Sequence, residues 1–140
     1  MSKRLYNILW CGLVLLLMTA CSNVQIPQQS QGFINKYFSS CSIVLVEIED
    51  EEDGREYSVW LNDGTRIEFD LQGNWKRVAR KKSGVPLTLI PNTIQQYVKT
   101  NYPNDVVTKF SKKDYGFKLE LSDDMDLRFN KQGQFIEVID

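Results

Sequence analysis

The stretch YSVWLNDGTRIEFDLQGNW at residues 57–75 returns in related form as FKLELSDDMDLRFNKQGQF at residues 117–135. The two stretches align without a gap at an offset of 60 residues. Apolar residues align with apolar residues and turn residues with turn residues, in the pairs Tyr57/Phe117, Val59/Leu119, Leu61/Leu121, Ile67/Leu127, Phe69/Phe129, Trp75/Phe135, Asp63/Asp123 and Gly73/Gly133. Alternation of apolar and polar residues between turn signals predicts three strands and two tight turns in each copy.

Each copy is preceded by a predicted helix and a further strand. Apolar residues recur with helical spacing in Phe33–Phe38, and again in Ile94–Val98 after Ile90-Pro91. The β-prone runs Cys41–Glu49 and Asp105–Lys112 follow these helices, and Asp50–Gly54 is predicted to be a charged turn. A unit is therefore one helix followed by four strands.

These patterns predict an α+β fold made of a tandem repeat of two helix-plus-four-stranded antiparallel units, with the helices on one face of the sheet. The first unit is assigned to residues 31–83 and the second to residues 84–140. A unit of about 60 residues is marginally stable alone, so the two are expected to share a core or a continuous sheet. Phe69 and Phe129 are expected to occupy equivalent buried positions beneath the helices.

The N-terminus predicts export. Residues 1–20 carry Lys3 and Arg4 and then an apolar segment, as a signal peptide does, and residues 21–30 form a polar tether. Leu17-Met18-Thr19-Ala20-Cys21 resembles the lipobox of bacterial lipoproteins. The resemblance implies cleavage before Cys21 and lipidation of its thiol, which would place the protein in the cell envelope, on the periplasmic side of a membrane or at the cell surface. The alternative is an ordinary signal peptide in which Cys21 is incidental.

Charge gives no reason to expect nucleic acid as a partner. The chain has 17 basic and 18 acidic residues, and removal of Lys3 and Arg4 with the signal peptide leaves a net charge near −3. The expected membrane attachment is therefore through the N-terminal lipid alone. Cys41 would be the one thiol left without a lipid, and its apolar neighbourhood favours burial over reactivity.

The composition disfavours catalysis and cofactor binding. The sequence has no His, which removes Ser-His and Cys-His nucleophiles and the usual zinc ligands. The acidic run near residue 50 could be framed as a calcium loop with Gly54 at its sixth position, but Trp60 then stands at the twelfth, where Glu supplies bidentate ligation. We predict no catalytic residue, metal site or cofactor, and we interpret the acidic residues on the strands as a solvated face.

The basic run around the fourth strand also has a structural interpretation. Its members are Lys76, Arg77, Arg80, Lys81 and Lys82. We predict that they line an exposed edge strand, where lysines deter edge-to-edge pairing.

Trp60 is the candidate binding residue. It lies between Val59 and Leu61, and its aligned partner is Glu120, so the fold does not require an aromatic ring there. Alternation points Trp60 away from the helices, and aromatic residues on an open face are typical of interfaces. We predict a binding site at Trp60 with a polar rim of Ser58, Arg66 and Glu68. The alternative is that Arg66 or the segment joining the units covers the ring.

The motif D-G-x-x-I-E-F-D-x-x-G-x-W at residues 63–75 resembles the PepSY-like, β-lactamase-inhibitor-like lipoproteins, as does Val85-Pro86 with Ile90-Pro91 and Asn101-Tyr102-Pro103. The resemblance covers about residues 26–140 and implies a tandem fold of helices and antiparallel sheet without catalytic residues. The second copy departs from the pattern at Asp124, where the turn of the family has Gly.

The sequence therefore predicts a non-enzymatic envelope lipoprotein. It would bind a protein partner through the open sheet face and could inhibit an envelope hydrolase or peptidase. The alternative is an accessory lipoprotein that binds a small ligand or a polysaccharide.

Overall fold

The computed structural model describes residues 23–139, which fold into one eight-stranded antiparallel sheet and two α-helices. Every strand pairs with the next one along the chain, so the strand order is the sequence order. The strands are β1 Ile43–Glu51, β2 Gly54–Leu61, β3 Arg66–Asp70, β4 Trp75–Ala79, β5 Val107–Lys113, β6 Gly116–Leu121, β7 Asp126–Asn130 and β8 Phe135–Ile139. The helices are α1 Gln28–Tyr37 and α2 Asn92–Asn101, and a short 3₁₀ helix covers Leu87–Leu89. The predicted α+β class, with one helix before each set of four strands, is confirmed.

The hydrophobic core lies between the helices and one face of the sheet. Ile34 of α1 and Ile94 and Val98 of α2 are buried there. They pack with strand residues of the predicted face, including Val59, Leu61, Ile67, Phe69, Leu119, Leu121, Leu127 and Phe129. Full burial of an aliphatic or aromatic side chain contributes about 1.5–3 kcal/mol, so this layer is the main stabilising term of the fold.

The prediction for Phe69 and Phe129 is confirmed, since both rings are fully buried. Phe33 of α1 meets Phe69 edge to face at a centroid distance of 5.6 Å. Tyr97 of α2 meets Phe129 in the same way at 5.3 Å. The strand phase deduced from alternation is therefore correct in both halves of the sheet.

Helix α1 begins earlier than the sequence suggested. The segment predicted as a tether ran to residue 30, but Gln28, Gln29 and Ser30 are helical. Ser30 is fully buried, and its hydroxyl donates to the Gly73 carbonyl at 3.1 Å. This contact to the distant β3–β4 turn holds a polar, Gln-rich segment in a helix that its own sequence does not indicate. The predictions of a signal peptide and of lipidation at Cys21 concern residues outside the described range 23–139.

The first hairpin is also tighter than predicted. Strand β1 extends to Glu51 and β2 starts at Gly54, so most of the predicted turn at residues 50–54 is strand. Arg55 pairs with Asp50 across the hairpin, with Nε 2.7 Å from Oδ1. Opposite charges at facing positions allow the ladder to continue through an acidic run.

The interpretation of β4 as an edge strand was wrong. It pairs with β3 on one side and with β5 on the other, so it lies inside the sheet. The basic side chains of this run form ion pairs with acidic ones: Lys76 with Glu56 at 2.7 Å, and Arg80, directly after β4, with Asp63 at 3.0 Å. The join between the two halves is made by β4 and β5, a long-range pairing that composition could not reveal.

Candidate interaction surface on the open sheet face

The open face is the side of the sheet away from the helices, and Trp60 lies on it. Its neighbours in the strand, Val59 and Leu61, are buried in the core, so alternation directs Trp60 to the other side. Trp60 is half-buried between Leu45 on β1 and Arg66 on β3, its partners in the ladder. The Arg66 guanidinium lies 4.9 Å from the centroid of the Trp60 ring, within the range of a cation–π contact. Arg66 thus covers part of the ring while the rest stays exposed.

Arg66 is held by three acceptors. Its Nη2 donates to Glu49 Oε2 at 2.7 Å and to Ser58 Oγ at 3.0 Å, and it lies 3.3 Å from Glu68 Oε1. Ser58 Oγ in turn donates to Glu49 Oε2 at 2.7 Å. A guanidinium fixed in this way loses little further freedom when a partner binds, which favours affinity.

The structure places the four predicted site residues together but gives them different roles. Trp60 and Arg66 are accessible, whereas Ser58 is fully buried and Glu68 is 3% exposed. The last two therefore support Arg66 from below and do not form a rim. Long side chains from neighbouring strands close over the short hydroxyl and the carboxylate, and a period-two pattern contains no information about that covering.

Glu68 is the centre of a buried ion-pair network. Its carboxylate lies between Arg66 and Arg77, whose Nη1 is 3.0 Å from Oε2. Arg77 continues to β5 by donating from Nε to Ser111 Oγ at 3.3 Å. Burial, together with the nearby Glu56 and Glu49 carboxylates, raises the pKa of Glu68 against the opposing effect of the two guanidinium groups. The network joins β2, β3, β4 and β5 and fixes the position of Arg66.

The other half of the open face is covered by simpler ion pairs. Cross-strand bridges run from β5 to β8: Lys109–Glu120 at 2.9 Å, Lys118–Asp126 at 2.6 Å and Arg128–Glu137 at 2.8 Å. Pairs this exposed contribute about 0–1 kcal/mol each. They give the strands of this half a polar surface, and the aromatic–arginine contact of this half, Arg128 on Tyr115 at 5.2 Å, lies at the turn between β5 and β6.

A carboxylate cluster lies beside this network, at the first hairpin. Oxygen atoms of Glu49, Glu51 and Glu56 lie within 4.8 Å of one another. Two of the three are already engaged, because Glu49 binds Arg66 and Glu56 accepts from Lys76 Nζ at 2.7 Å. Asp53, a ligand in the calcium frame considered above, also accepts from Lys76 at 2.9 Å. Cations of the protein are thus already bound to Glu49 and Glu56, and we assign no metal to the cluster.

Sequence reasoning missed a groove on the helix side. Its volume is about 580 Å³, and it lies between α2, the chain before it and the start of β5. Its wall includes Leu87 and Val106, whose exposed fractions are 64% and 51%. Leu87 falls in a connecting segment without periodicity and Val106 in the predicted strand Asp105–Lys112, so no pattern marked either residue as part of a groove. Within residues 23–139, no helix is long and apolar enough to cross a bilayer.

The sequence matches the family model described as "Putative beta-lactamase-inhibitor-like, PepSY-like" over residues 55–137. No curated protein matches it. Among solved structures, a "putative calcium-regulated periplasmic protein" of Bacteroides thetaiotaomicron shares 34% identity, with 83% of this chain and 91% of that chain covered and a TM-score of 0.77.

Two periplasmic proteins of Bacteroides vulgatus are similar at 30% identity, and each match covers 83% of this chain. The matches cover 93% and 91% of those chains, with TM-scores of 0.78 and 0.75. One of the two is described as having unknown function. The family model covers more than half of the sequence, and the chain therefore belongs to the PepSY-like, β-lactamase-inhibitor-like family.

Proposed function

We propose that the protein is a non-enzymatic lipoprotein of the cell envelope that binds a protein partner through the open face and inhibits an envelope hydrolase or peptidase. One observation carries the proposal: Trp60 is a partly exposed aromatic residue on the open face, in contact with an arginine that the protein holds in place. Trp and Arg are the residue types most enriched where interfaces derive their binding energy. The periplasmic relatives support the compartment.

The proposed partner contact begins with the Trp60 ring and the free edge of the Arg66 guanidinium. Leu45, 45% exposed, adjoins the ring on β1 and enlarges the apolar part of the surface. Around this centre the network of Glu49, Ser58 and Glu68 keeps the guanidinium in position. The surface combines an apolar centre with a polar surround, as interaction sites do.

Lipid attachment at Cys21 completes the proposal. In the described chain α1 starts at Gln28, so six residues would separate the lipidated Cys21 from the folded domain. Such a segment spans at most about 20 Å, which would keep the domain close to the membrane. Mass spectrometry of the membrane fraction tests this part, and an unmodified, soluble mature chain would exclude it.

We also propose that the halves 31–83 and 84–140 are copies of one unit. The support is the constant offset of the two stretches and a shared irregularity: the ladder register shifts at Glu68/Phe69 in one half and at Arg128/Phe129 in the other. Because β4 and β5 join the halves into one sheet, neither copy is expected to fold alone. Cooperative folding of an isolated half, followed by circular dichroism, would contradict this expectation.

The binding proposal is tested by capture from envelope extract with the purified full chain as bait. Trp60→Ala should lose a partner that wild type captures, while Leu87→Ala, which removes an exposed apolar side chain on the helix side, should retain it. The retained partner is then assayed for hydrolase or peptidase activity with and without the chain. Equal capture by both variants would contradict a site at Trp60.

Small-ligand or polysaccharide binding is the second candidate function, favoured by the groove of about 580 Å³ beside α2. Its volume lies in the range of ligand pockets, and its wall is largely apolar with a few amides. A glycan array with wild type and with Leu87→Ala distinguishes the candidates. Binding that depends on Leu87 and not on Trp60 would favour the groove.

A further inference from the structure

Strand β8 forms one edge of the sheet and leaves apolar residues exposed. Within residues 23–139 its ladder partner is β7 alone. The exposed fractions are 36% for Phe135, 49% for Ile136 and 40% for Val138. The strand contains neither Pro nor Lys, and Glu137 is its single charged residue. It therefore lacks Pro and Lys, two residue types that keep many edge strands from pairing.

The opposite edge is different. Strand β1 also exposes apolar residues, but its nine residues include Glu47, Glu49, Asp50 and Glu51. Acidic side chains along an edge disfavour the approach of another strand. Strand β1 thus carries acidic residues that disfavour pairing, and β8 carries a single one. Of the two edge strands, β8 is therefore better suited to pair with a further strand.

Strand β4 resembles β8 and has a neighbouring strand on its outer edge, so it indicates how a further strand could pair with β8. Like β8, it follows a glycine turn, and its first residue lies opposite a buried Phe: Trp75 opposite Phe69, and Phe135 opposite Phe129. The ladder register shifts directly after this pair in both strands. A helix ring stacks on each of these residues, Phe33 on Trp75 at 5.9 Å and Tyr97 on Phe135 at 4.6 Å. The outer edge of β4 is covered by β5, whereas no strand of residues 23–139 covers the matching edge of β8.

The pairing of β5 with β4 gives the register that a strand added to β8 would adopt. Phe110 lies opposite Val78 on the helix side, with Ser111 opposite Arg77 and Lys109 opposite Ala79. The Arg80 N–H donates to the Thr108 carbonyl at 2.8 Å. Since hydrogen-bonded pairs alternate in an antiparallel ladder, the Phe110 N–H also faces β4, while those of Lys109 and Ser111 face β6.

We propose that the outer edge of β8 is a strand-addition site for an extended segment of a protein partner, bound antiparallel in the register that β5 adopts on β4. The segment would place an apolar residue opposite Val138 and a small polar one opposite Glu137, with no acidic residue near Glu137. Main-chain hydrogen bonds give affinity in this mode and alternate side chains give specificity. Six inter-strand spacings separate β8 from β2, about 29 Å in all, so the site is distinct from Trp60 and does not rest on the proposed function.

The probe is a fluorescein-labelled peptide with the sequence of residues 106–113, which comprises Val106 and strand β5. Added to the purified full chain, it is expected to bind saturably at one site by fluorescence anisotropy and to slow hydrogen exchange of the Val138 amide. Two further probes carry a single N-methyl group. Methylation at the Phe position should weaken binding by at least about tenfold because it removes a ladder hydrogen bond, whereas methylation at the neighbouring Lys position should not.

Variants separate this edge from the other surfaces. Glu137→Lys should weaken binding of the basic peptide by about tenfold through like-charge contact, and Glu137→Gln should have a smaller effect. Glu47→Lys on the opposite edge and Trp60→Ala on the open face should leave peptide binding unchanged. Loss of partner capture in Trp60→Ala with peptide binding intact would show that the two sites are independent.

Three outcomes would overturn the proposal. Absence of saturable binding is the first, and equal binding by the two methylated peptides is the second. The third is a concentration-dependent dimer of the chain alone, by analytical ultracentrifugation, with Val138 protected, because the occupant of the edge would then be a second copy.

Discussion

The two halves of the sheet agree on the helix side and differ on the open face. On the helix side Phe33 packs on Phe69 as Tyr97 packs on Phe129, with closely similar distances and angles. On the open face Trp60 of β2 contacts Arg66, whereas its counterpart Glu120 forms an ion pair with Lys109. Packing against a helix restricts the residue types that fit, while a solvated face does not. The difference therefore marks the Trp60 surface as the part of the sheet that folding alone does not explain.

The largest expected effects are on stability and concern the core positions that are alike in the two halves of the sheet. Phe69→Ala and Phe129→Ala should each lower the free energy of unfolding by about 3–5 kcal/mol, because each removes a fully buried ring beneath a helix. Urea unfolding of the two variants measures this. A loss below about 1 kcal/mol in one half alone would break the equivalence of the two core positions.

The second largest expected effect is on partner binding and concerns Trp60, where the two halves of the sheet differ. Trp60→Ala should weaken partner binding by about 2 kcal/mol or more while changing the melting temperature little, and Glu120→Ala should change binding by less than about 0.5 kcal/mol. Binding is measured by isothermal titration with the captured partner, and stability by thermal unfolding. A large stability loss in Trp60→Ala with binding intact would make Trp60 a structural residue.

The two β-hairpin turns that follow β2 and β6 differ in their electrostatics. Burial alone would raise the pKa of Asp63, but hydrogen bonds from Thr65 and Arg80 outweigh it and lower the pKa to about 2. A carboxylate whose folded pKa is depressed stabilises the protein above its unfolded pKa near 4 and loses that contribution as the pH falls toward 2. The contribution is about 2 kcal/mol.

Asp63→Asn should therefore destabilise the chain at pH 7 and reduce the loss of stability between about pH 5 and pH 2, as followed by urea unfolding. Asp123→Asn is the matched control, because Asp123 accepts from the Met125 N–H in the equivalent turn but is exposed. Identical pH profiles for wild type and Asp63→Asn would show that Arg80 and Thr65 do not hold this carboxylate.

The smallest expected effect concerns the same turns. Gly64 and Asp124 occupy matching positions, with φ of 86° and 67°. A left-handed conformation costs a residue other than glycine about 1–2 kcal/mol, although glycine also stabilises the unfolded chain. Asp124→Gly should thus change stability by no more than about 1 kcal/mol, in the stabilising direction. A clear destabilisation in thermal unfolding would show that the Asp124 side chain contributes to the turn.

Some features of the molecule followed from the sequence because their causes are local. A strand alternates its faces whatever lies next to it, so the inward direction of Phe69 and Phe129 and the outward direction of Trp60 could be predicted. Turn chemistry is equally local, and Asp63 and Gly73 located two of the hairpins correctly. The aligned stretches at residues 57–75 and 117–135 carry both signals twice.

Other features were decided by the tertiary structure. The position of β4 inside the sheet depends on its pairing with β5, and the helical state of Gln28–Ser30 depends on the bond from Ser30 to Gly73. The burial of Ser58 depends on side chains from adjacent strands. In each case the stabilising contact joins groups that are far apart in the sequence. Neither the composition nor the periodicity of the segment itself can therefore predict it. The sequence alone determined which residues alternate along the strands and the outward direction of Trp60, and the fold decided what surrounds that residue and which strands form the edges of the sheet within residues 23–139.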